Sequence, residues 1–372
     1  MTISGILNDD LQTLNNTMVV WEKGDDFIVG VGIIDQMAVQ TTEDGAITVT
    51  RTMPNLDFIT ESENRLWGCR YGVAANGEVV NEIYACKLGD FKNWNCFMGL
   101  STDSYAASCG TDGQFTGAIT HLGYPLFFKE DCVHKVYGNF PSNYQIQTTV
   151  CRGVQKGSHN SLAIVNETLY YKSRNGICAY DGSLPVEMSY ALGNEVYSDA
   201  VGGAHGNKYY VSMKDLSDEW HLFVYDAAKD LWHKEDSLRA DTFCSCGNEM
   251  YCIEYETKDI VTLLGSGIES TEDVVWMAET GVLYLSYPDM KYISRMTVRM
   301  SLGIGAECSI YAKYDEDAEW VPLYSVTGTS LRSFPVSIRP RRCDHMRLRF
   351  EGVGAAKIYT VTNTIEQGSD VS

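Results

Sequence analysis

The sequence predicts an all-β protein, with a β-propeller of roughly 40-residue blades over residues 1–270 and a C-terminal antiparallel β-sandwich over residues 271–372. Three observations support this fold class. Helical periodicity is nearly absent, short runs rich in Val, Ile, Tyr, Phe and Thr recur between Gly, Asn and Asp, and a hydrophobic–aromatic pair returns at a nearly constant interval. The 23 Tyr and 33 Gly against 8 Pro are typical of pleated sheets joined by turns.

The repeat consists of a turn followed by a hydrophobic–aromatic pair. Tyr170 follows Phe127 by 43 residues, Tyr210 follows Tyr170 by 40, and Tyr251 comes 41 residues later. Trp67 lies 60 residues before Phe127, which predicts an insertion or an irregular blade around residues 91–110. The pairs are Leu66-Trp67, Leu126-Phe127, Leu169-Tyr170, Tyr209-Tyr210 and Met250-Tyr251. A period near 40 with several strands per unit favours a propeller over a helical solenoid.

The second strands of the repeat show a further pattern. Tyr225 and Asp226 end one strand, and Trp232 follows six residues after Asp226. This spacing predicts a turn after the strand and a tryptophan packed between neighbouring sheets. With residues 27–31 as a candidate earlier copy, the sequence predicts five to six blades that bury their faces only against their neighbours.

After about residue 271 the pattern changes to strict alternation of apolar and polar residues. The apolar positions are Met296, Val298, Met300 and Leu302, then Cys308, Ile310, Ala312 and Tyr314, then Met346, Leu348 and Phe350. Such strands belong to antiparallel sheets with one solvated face, and two of these sheets packed together form a sandwich.

Composition excludes some functions. The 372 residues carry a net charge of −20, which disfavours nucleic acid and anionic membranes as partners. The longest apolar run, residues 27–34, is far short of the ~18 residues of a membrane span, and no signal peptide precedes it. The twelve cysteines lie in apolar strand-like contexts and are expected to be mostly reduced thiols in a cytosolic compartment.

No catalytic, cofactor-binding or metal-binding residue is predicted. Cys244 and Cys246, with Cys252 nearby, could ligate a metal, but no second ligand pair exists, so buried strand cysteines are the preferred interpretation. The acidic run 315–317 lacks the glycine and the final glutamate of a calcium loop, and it is predicted to be a solvated hairpin tip.

One basic concentration stands out in this acidic chain. Arg332, Arg339, Arg341 and Arg342 are candidates for an interaction surface toward an acidic partner. The alternative preferred for this cluster is an intramolecular salt-bridge network with the propeller's own acidic residues. Nucleic-acid binding is a third alternative, disfavoured because aromatic residues do not interleave with the arginines.

Residues 118–182 resemble, as a whole, the β-propeller tail proteins of tailed phages and prophages, of the nozzle, tail-hub or DNA-stabilisation type. The stretch includes PLFFKEDCVHKVYGNF and GSHNSLAIVNETLYYKSRNGICAYDG, and the matching positions are 127–129, 136–138, 157–162 and 170–182. The C-terminal stretches PDMKYISRMTVRM and RRCDHMRLRF are similar to the sandwich that ends such proteins. The resemblance implies a virion component that assembles as a ring, needs no cofactor and has no catalytic residues.

The predicted function is therefore a structural protein of a phage or prophage particle, in the tail or head–tail region, that is not an enzyme. Its expected partners are other phage tail or head–tail proteins and copies of itself in a ring, with no membrane and no specific nucleic-acid sequence. Its expected location is the virion, and the host cytoplasm during assembly.

Two other functions are considered. The first alternative is a carbohydrate-binding or carbohydrate-cleaving propeller at a tail tip, because the surplus of Tyr and Trp offers stacking surfaces for sugars. The second is a kelch-like adaptor. It is disfavoured because the double glycine Gly202-Gly203 occurs once rather than in each repeat.

Overall fold

The computed structural model describes residues 2–4, 18–23, 26–31, 37–41, 46–51, 53–73, 77, 79–94, 100–264, 275–284, 290–328, 330–338 and 341–366. For residues up to 51 it describes the strands and their pairing but not the side chains. The chain divides into two compact units, Met1–Ser266 and Gly267–Ser372. The predicted boundary near residue 270 lies outside the described residues. Within these ranges no helix is both long and apolar enough to span a membrane.

The all-β prediction is confirmed, since the described helices are short 3₁₀ turns at Pro141–Asn143, His159–Ser161 and Ser189–Leu192. The strands of the first unit are β1 (Thr2–Ser4), β2 (Met18–Lys23), β3 (Asp26–Val31), β4 (Met37–Thr41), β5 (Ala46–Arg51), β6 (Phe58–Ser62), β7 (Arg65–Val73), β8 (Val79–Ala85), β9 (Tyr105–Ser108), β10 (Gly117–His121), β11 (Tyr124–Phe128), β12 (Cys132–Tyr137), β13 (Gln145–Val150), β14 (Ala163–Val165), β15 (Thr168–Lys172), β16 (Ile177–Tyr180), β17 (Val186–Glu187), β18 (Ser198–His205), β19 (Lys208–Lys214), β20 (Trp220–Asp226), β21 (Leu231–Asp236), β22 (Ala240–Cys246), β23 (Glu249–Glu254) and β24 (Ile260–Leu264).

From β6 onward, these strands form five consecutive antiparallel sheets in simple chain order. Sheet A is β6-β7-β8-β9, sheet B is β10-β11-β12-β13, sheet C is β14-β15-β16-β17, sheet D is β18-β19-β20-β21, and sheet E is β22-β23-β24. Before them, β2 pairs with β3, and β5 lies between β1 and β4. The insertion predicted around residues 91–110 lies between β8 and β9, where Trp94 is buried.

Each sheet begins with a hairpin whose turn has two residues, at 63–64, 122–123, 166–167, 206–207 and 247–248. Both turn residues have positive φ in the first three hairpins, as in Asn166 (48°) and Glu167 (67°). In the last two, Gly206 and Gly247 hold the positive φ at the first turn position. Turns with this handedness match the right-handed twist of the strands, which explains why Gly and Asn mark the repeat.

Each pair of neighbouring sheets shares one apolar core. Trp67 and Phe127 belong to the core between sheets A and B, and Phe128 packs on Tyr171 between sheets B and C with ring centroids 5.1 Å apart. Tyr170 stacks on Tyr209 at 5.3 Å between sheets C and D. Tyr210 and Met250 share the core between sheets D and E. The predicted burial of repeated sheets against their neighbours is therefore confirmed for sheets A to E.

The predicted repeat of a turn and a hydrophobic–aromatic pair is present, but in sheet B the aromatic residue lies one position later than in the other sheets. The third residue after each turn faces the next sheet, as Trp67, Tyr170 and Tyr210 do. In sheet B this position is Leu126, which lies in the core toward sheet C, whereas Phe127 faces sheet A. Because strand side chains alternate between faces, a shift of one residue reverses the face, and spacing alone did not reveal it.

Trp232 packs between two sheets, as its spacing predicted. It lies against the core of sheets C and D, 5.1 Å from the ring of Tyr225, and its indole N–H donates to the carbonyl of Met188 at 2.9 Å.

We expect Trp232→Phe to lower the free energy of unfolding by about 1 kcal/mol, because the Met188 carbonyl loses its donor while the ring volume is largely kept. Urea denaturation at pH 7 measures this loss. Trp220→Phe is the matched control, because its indole N–H makes no hydrogen bond among the described residues. Equal losses in the two variants would show that the hydrogen bond to Met188 contributes nothing.

The second unit contains β25 (Val275–Glu279), β26 (Tyr292–Leu302), β27 (Glu307–Tyr314), β28 (Val321–Thr327), β29 (Arg332–Val336), β30 (Met346–Val353) and β31 (Ala356–Glu366). They form two antiparallel sheets, β25-β30-β27-β28 and β29-β26-β31, which share one apolar cluster. The predicted alternation in β26, β27 and β30 is confirmed, since every second side chain is buried. The acidic run 315–317 lies at the hairpin tip between β27 and β28, as predicted, with the Glu316 side chain 97% exposed.

Candidate functional site

One cavity of the first unit is built by edge strands of sheets A to E. Each sheet contributes its first strand, or in sheet C the segment just before it, to one cavity of about 720 Å³. The lining residues are Asp57, Phe58, Ile59, Ala118, Ile119, His159, Asn160, Leu162, Gly202, Thr242 and Phe243. Since residues from five successive sheets meet around one space, this cavity is the site that the repeat assembles.

Aromatic rings form part of the cavity wall. Phe58 and His159 pack with ring centroids 5.4 Å apart and planes inclined at 56°. Partial desolvation lowers the pKa of His159 below its usual value, so the imidazole is neutral at pH 7. Phe243 contributes a third ring from sheet E. A ligand in this cavity therefore meets apolar ring surfaces and a neutral imidazole.

Polar side chains complete the cavity. The Asp57 carboxylate accepts the Tyr71 backbone N–H at 2.7 Å, which fixes its position at the start of β6. Asn160 and Thr242 add an amide and a hydroxyl from sheets C and E, and both side chains are solvent-exposed. The site thus combines one carboxylate with neutral hydrogen-bonding groups.

The double glycine has a steric cause, and its first residue, Gly202, lines this cavity. A side chain at Gly202 would come within 2.8 Å of the Ser161 carbonyl oxygen, and one at Gly203 within 2.4 Å of the Phe243 Cβ. The innermost strand of sheet D therefore approaches both neighbouring sheets too closely for any side chain. This close approach occurs at one place in the chain, which explains why the double glycine occurs once. A kelch repeat would not explain it, since its double glycine would recur in each repeat.

The four arginines predicted as an interaction surface lie in the second unit. Arg332 pairs with Met300 in one sheet, whereas Arg341 lies over Tyr314 of the other sheet, 5.3 Å from its ring centroid. Arg341 also forms a two-point ion pair with Asp317, its Nη2 lying 2.9 Å from Oδ1. Arg342 is solvent-exposed, and Arg339 lies outside the described residues. The arginines therefore divide between two sheets, and their role as a surface stays a prediction.

The preferred interpretation of the paired cysteines needs correction. Cys244 and Cys246 lie on β22, but both are exposed, and only Cys252 is buried. Cys244 and Cys246 pair with Tyr251 and Glu249, on the face of sheet E opposite to Met250, which packs against sheet D. The sequence pattern identified a strand but not which of its faces a neighbouring sheet covers.

One cluster of donor atoms was not predicted. Asp215, Glu219 and His221 bring their donor atoms within 4.8 Å of one another at the hairpin between β19 and β20. His221 Nε2 lies 2.8 Å from Asp215 Oδ2, and Asp215 Oδ1 accepts the backbone N–H groups of Ser217 and Glu219. The hydrogen bond with His221 holds the pKa of Asp215 below its usual value. The carboxylate is thus already used to close the turn, and the spacing carries no known signature.

No family model matches the chain, and no curated protein matches it significantly. Several solved structures similar to the chain are glycoside hydrolases. They include the exo-β-1,3-galactanase from Phanerochaete chrysosporium, at 9% identity and a TM-score of 0.32, covering 81% of this chain and 95% of the other. The sialidase of Trypanosoma rangeli is 8% identical with a TM-score of 0.30, covering 89% of this chain and 84% of the other.

A further similar structure is a glycoside hydrolase of family 43 engineered for endo-xylanase and exo-arabinofuranosidase activity. Its identity is 8% and its TM-score 0.27, covering 83% of this chain and 99% of the other.

These findings contradict two predictions made from the sequence. A non-catalytic structural role in a phage particle and the absence of enzyme activity are therefore corrected: neither finds support in the comparisons, and the similar solved structures reported above are glycoside hydrolases. The error has a physical reason. The matched stretches encode the strands and turns of four-stranded antiparallel sheets, and such sheets recur in proteins of unrelated function. The partners and the virion location stay predictions.

Proposed function

We propose that the first unit is a β-propeller that binds an oligosaccharide in its central cavity, and that the second unit is a β-sandwich. The observation that carries the functional proposal is the cavity of about 720 Å³ lined from five successive sheets. Each sheet packs on the next, and all five line one cavity, as expected for propeller blades arranged about a common axis. The shared apolar cluster of the two sheets in the second unit supports the sandwich.

The composition of the cavity suits a sugar. A pyranose presents an apolar face of C–H groups and a rim of hydroxyls, so it needs both a ring surface and hydrogen-bonding groups. Phe58 and Phe243 offer the ring surfaces. Asp57, Asn160 and the neutral His159 offer acceptors and donors beside them. The volume lies within the ~300–1,000 Å³ typical of small-molecule sites.

We expect Phe58→Ala to weaken oligosaccharide binding about five- to tenfold, because it removes an aromatic surface worth about 1–1.5 kcal/mol. A glycan array identifies the ligand, and isothermal titration with that ligand measures the change. Phe91→Ala is the control, since Phe91 is 62% exposed and lies outside the cavity. If no glycan binds, or if both variants bind equally well, the cavity is not a sugar site.

Hydrolysis is the second candidate activity, and Asp57 is the observation that favours it. Glycosidases use two carboxylates, separated by about 5–9.5 Å, one of which acts as acid or nucleophile. Among the described lining residues Asp57 is the single acid, and its position is fixed by Tyr71. Release of reducing ends from the bound glycan tests this activity. We expect Asp57→Asn to abolish the release of reducing ends and to retain glycan binding. If this variant still releases reducing ends, Asp57 takes no part in the reaction.

A further inference from the structure

A second pocket lies between sheets A and B, away from the central cavity. It has a volume of about 170 Å³, and its lining includes Glu63, Trp67, Tyr124, Asn139 and Tyr144. The pocket includes Ser62, whereas the central cavity includes Ile59 of the same strand. Three residues of a strand span about 10 Å, so the two sites lie toward opposite ends of β6.

The walls of this pocket are aromatic and firmly held. Trp67 and Tyr144 pack edge to face with ring centroids 5.0 Å apart, and Tyr105 supports Tyr144 from another side at 5.1 Å. Tyr124 is 37% exposed and packs on Tyr137 at 5.0 Å. The rings therefore form a preorganised surface rather than a flexible one.

Four polar groups in the lining make no hydrogen bond among the described residues. They are the hydroxyls of Tyr124 and Tyr144, the side-chain amide of Asn139 and the carboxylate of Glu63. By contrast, the Ser62 hydroxyl is already used, since it donates to the Gly123 carbonyl at 3.0 Å. The fold thus leaves donors and acceptors beside the aromatic walls without partners of their own.

The surroundings of the pocket carry charges of both signs. Lys135 Nζ lies 4.4 Å from the Tyr124 ring centroid, the Arg65 guanidinium lies 5.9 Å from that of Tyr144, and Glu63 is part of the lining. A charged ligand would therefore meet one attraction and one repulsion, and it would lose hydration without a net electrostatic gain. A neutral ligand with several hydroxyls avoids that loss and still uses the carboxylate as an acceptor.

We infer that this pocket is a separate binding site for a single neutral pyranose, such as the end of a glycan chain. The inference rests on the proposed carbohydrate function and adds a second site to it. The volume admits one small ring, since it equals roughly six water molecules, and it is too small for an oligosaccharide.

The experiment is an NMR titration of the full chain with methyl β-glucopyranoside, methyl β-galactopyranoside and methyl α-mannopyranoside, with glucosamine and glucuronate as charged comparators. We expect at least one neutral glycoside to bind at millimolar concentration and the charged sugars to bind more weakly. Tyr144→Phe, which keeps the ring packing, and Glu63→Gln, at an exposed turn, would each weaken binding about tenfold. Tyr137→Phe is the matched control and would leave binding unchanged.

Three results would overturn the inference: no neutral glycoside binds, a charged sugar binds more tightly, or binding is equal in Tyr144→Phe, Glu63→Gln and the unmodified chain. Phe58→Ala separates this inference from the proposed function. Binding lost in Phe58→Ala but kept in Tyr144→Phe would leave the central site standing and reject the pocket. Monosaccharide binding that depends on Tyr144, with no oligosaccharide bound at the central cavity, would support the pocket and reject the proposed function.

Discussion

Replacing Arg65 with methionine is expected to lower the free energy of unfolding by about 3–5 kcal/mol, one of the two largest effects that the structure predicts. Arg65 is 2% exposed at the start of β7. Its Nη1 donates to the carbonyls of Cys86 and Asp103 at 2.7 and 2.6 Å, and its Nη2 donates to the Ser101 carbonyl at 2.8 Å. Methionine fills much of the volume but leaves all three carbonyls without a donor. Each such buried group costs about 1–3 kcal/mol.

Urea denaturation at pH 7 measures this effect, and the same strand provides the control. Arg70 lies on β7 and makes no ion pair or hydrogen bond through its side chain among the described residues. Arg70→Met is therefore expected to change the free energy of unfolding by less than about 0.5 kcal/mol. Arg65→Lys should fall between the two variants, because one ammonium cannot reproduce the planar fork of the guanidinium. A loss below about 1 kcal/mol in Arg65→Met would show that water replaces the arginine at little cost.

Arg65 also shows why the sequence predicted the framework better than the interactions within it. The aromatic pairs and the turn residues are local signals, so the strands of sheets A to E and the burial of Tyr170 and Tyr210 could be predicted. The insertion between β8 and β9 could be located from the long step between Trp67 and Phe127. Nothing local indicates that Arg65 supports that insertion, because its three acceptors lie 21 to 38 residues further along the chain.

The candidate site was beyond sequence reasoning for a related reason. Asp57, His159 and Thr242 carry no shared motif, and they meet only because each lies in or just before the first strand of a different sheet. The double glycine was noticed in the sequence, but as a repeat signature rather than as a point of close approach. The cysteine pair was assigned to a strand, yet its exposure depends on which face of sheet E packs against sheet D, which only the tertiary structure shows. Long-range placement, not residue type, decided each of these outcomes.

The second large effect is a rise of about 3 kcal/mol in the free energy of unfolding between pH 8 and pH 10.5, caused by Lys172. Lys172 ends β15 and is 2% exposed, and its Nζ donates to Gln155 Oε1 at 2.9 Å and to the Ser173 carbonyl. Burial disfavours the ammonium and lowers the pKa of Lys172 from 10.5 to about 8, although Cys178 and Glu187 act in the opposite direction. Between these two pH values the unfolded chain holds a proton that the native chain has lost. Stability therefore rises with pH across this window, and the penalty for a buried charge is present in full below pH 8.

The comparison with Lys172→Met isolates this contribution from the titration of other groups. Tyr171 and Tyr209 have pKa values raised by burial, so they oppose folding as pH rises, but they do so equally in both proteins. The free energy of unfolding of the unmodified protein minus that of Lys172→Met is measured in urea from pH 7 to pH 10. This difference should increase steadily as pH rises. A difference that stays constant over this range would mean that Lys172 titrates like a solvated lysine. It would also mean that water reaches the space beside Glu187 and Glu195, which line a small cavity together with Lys172.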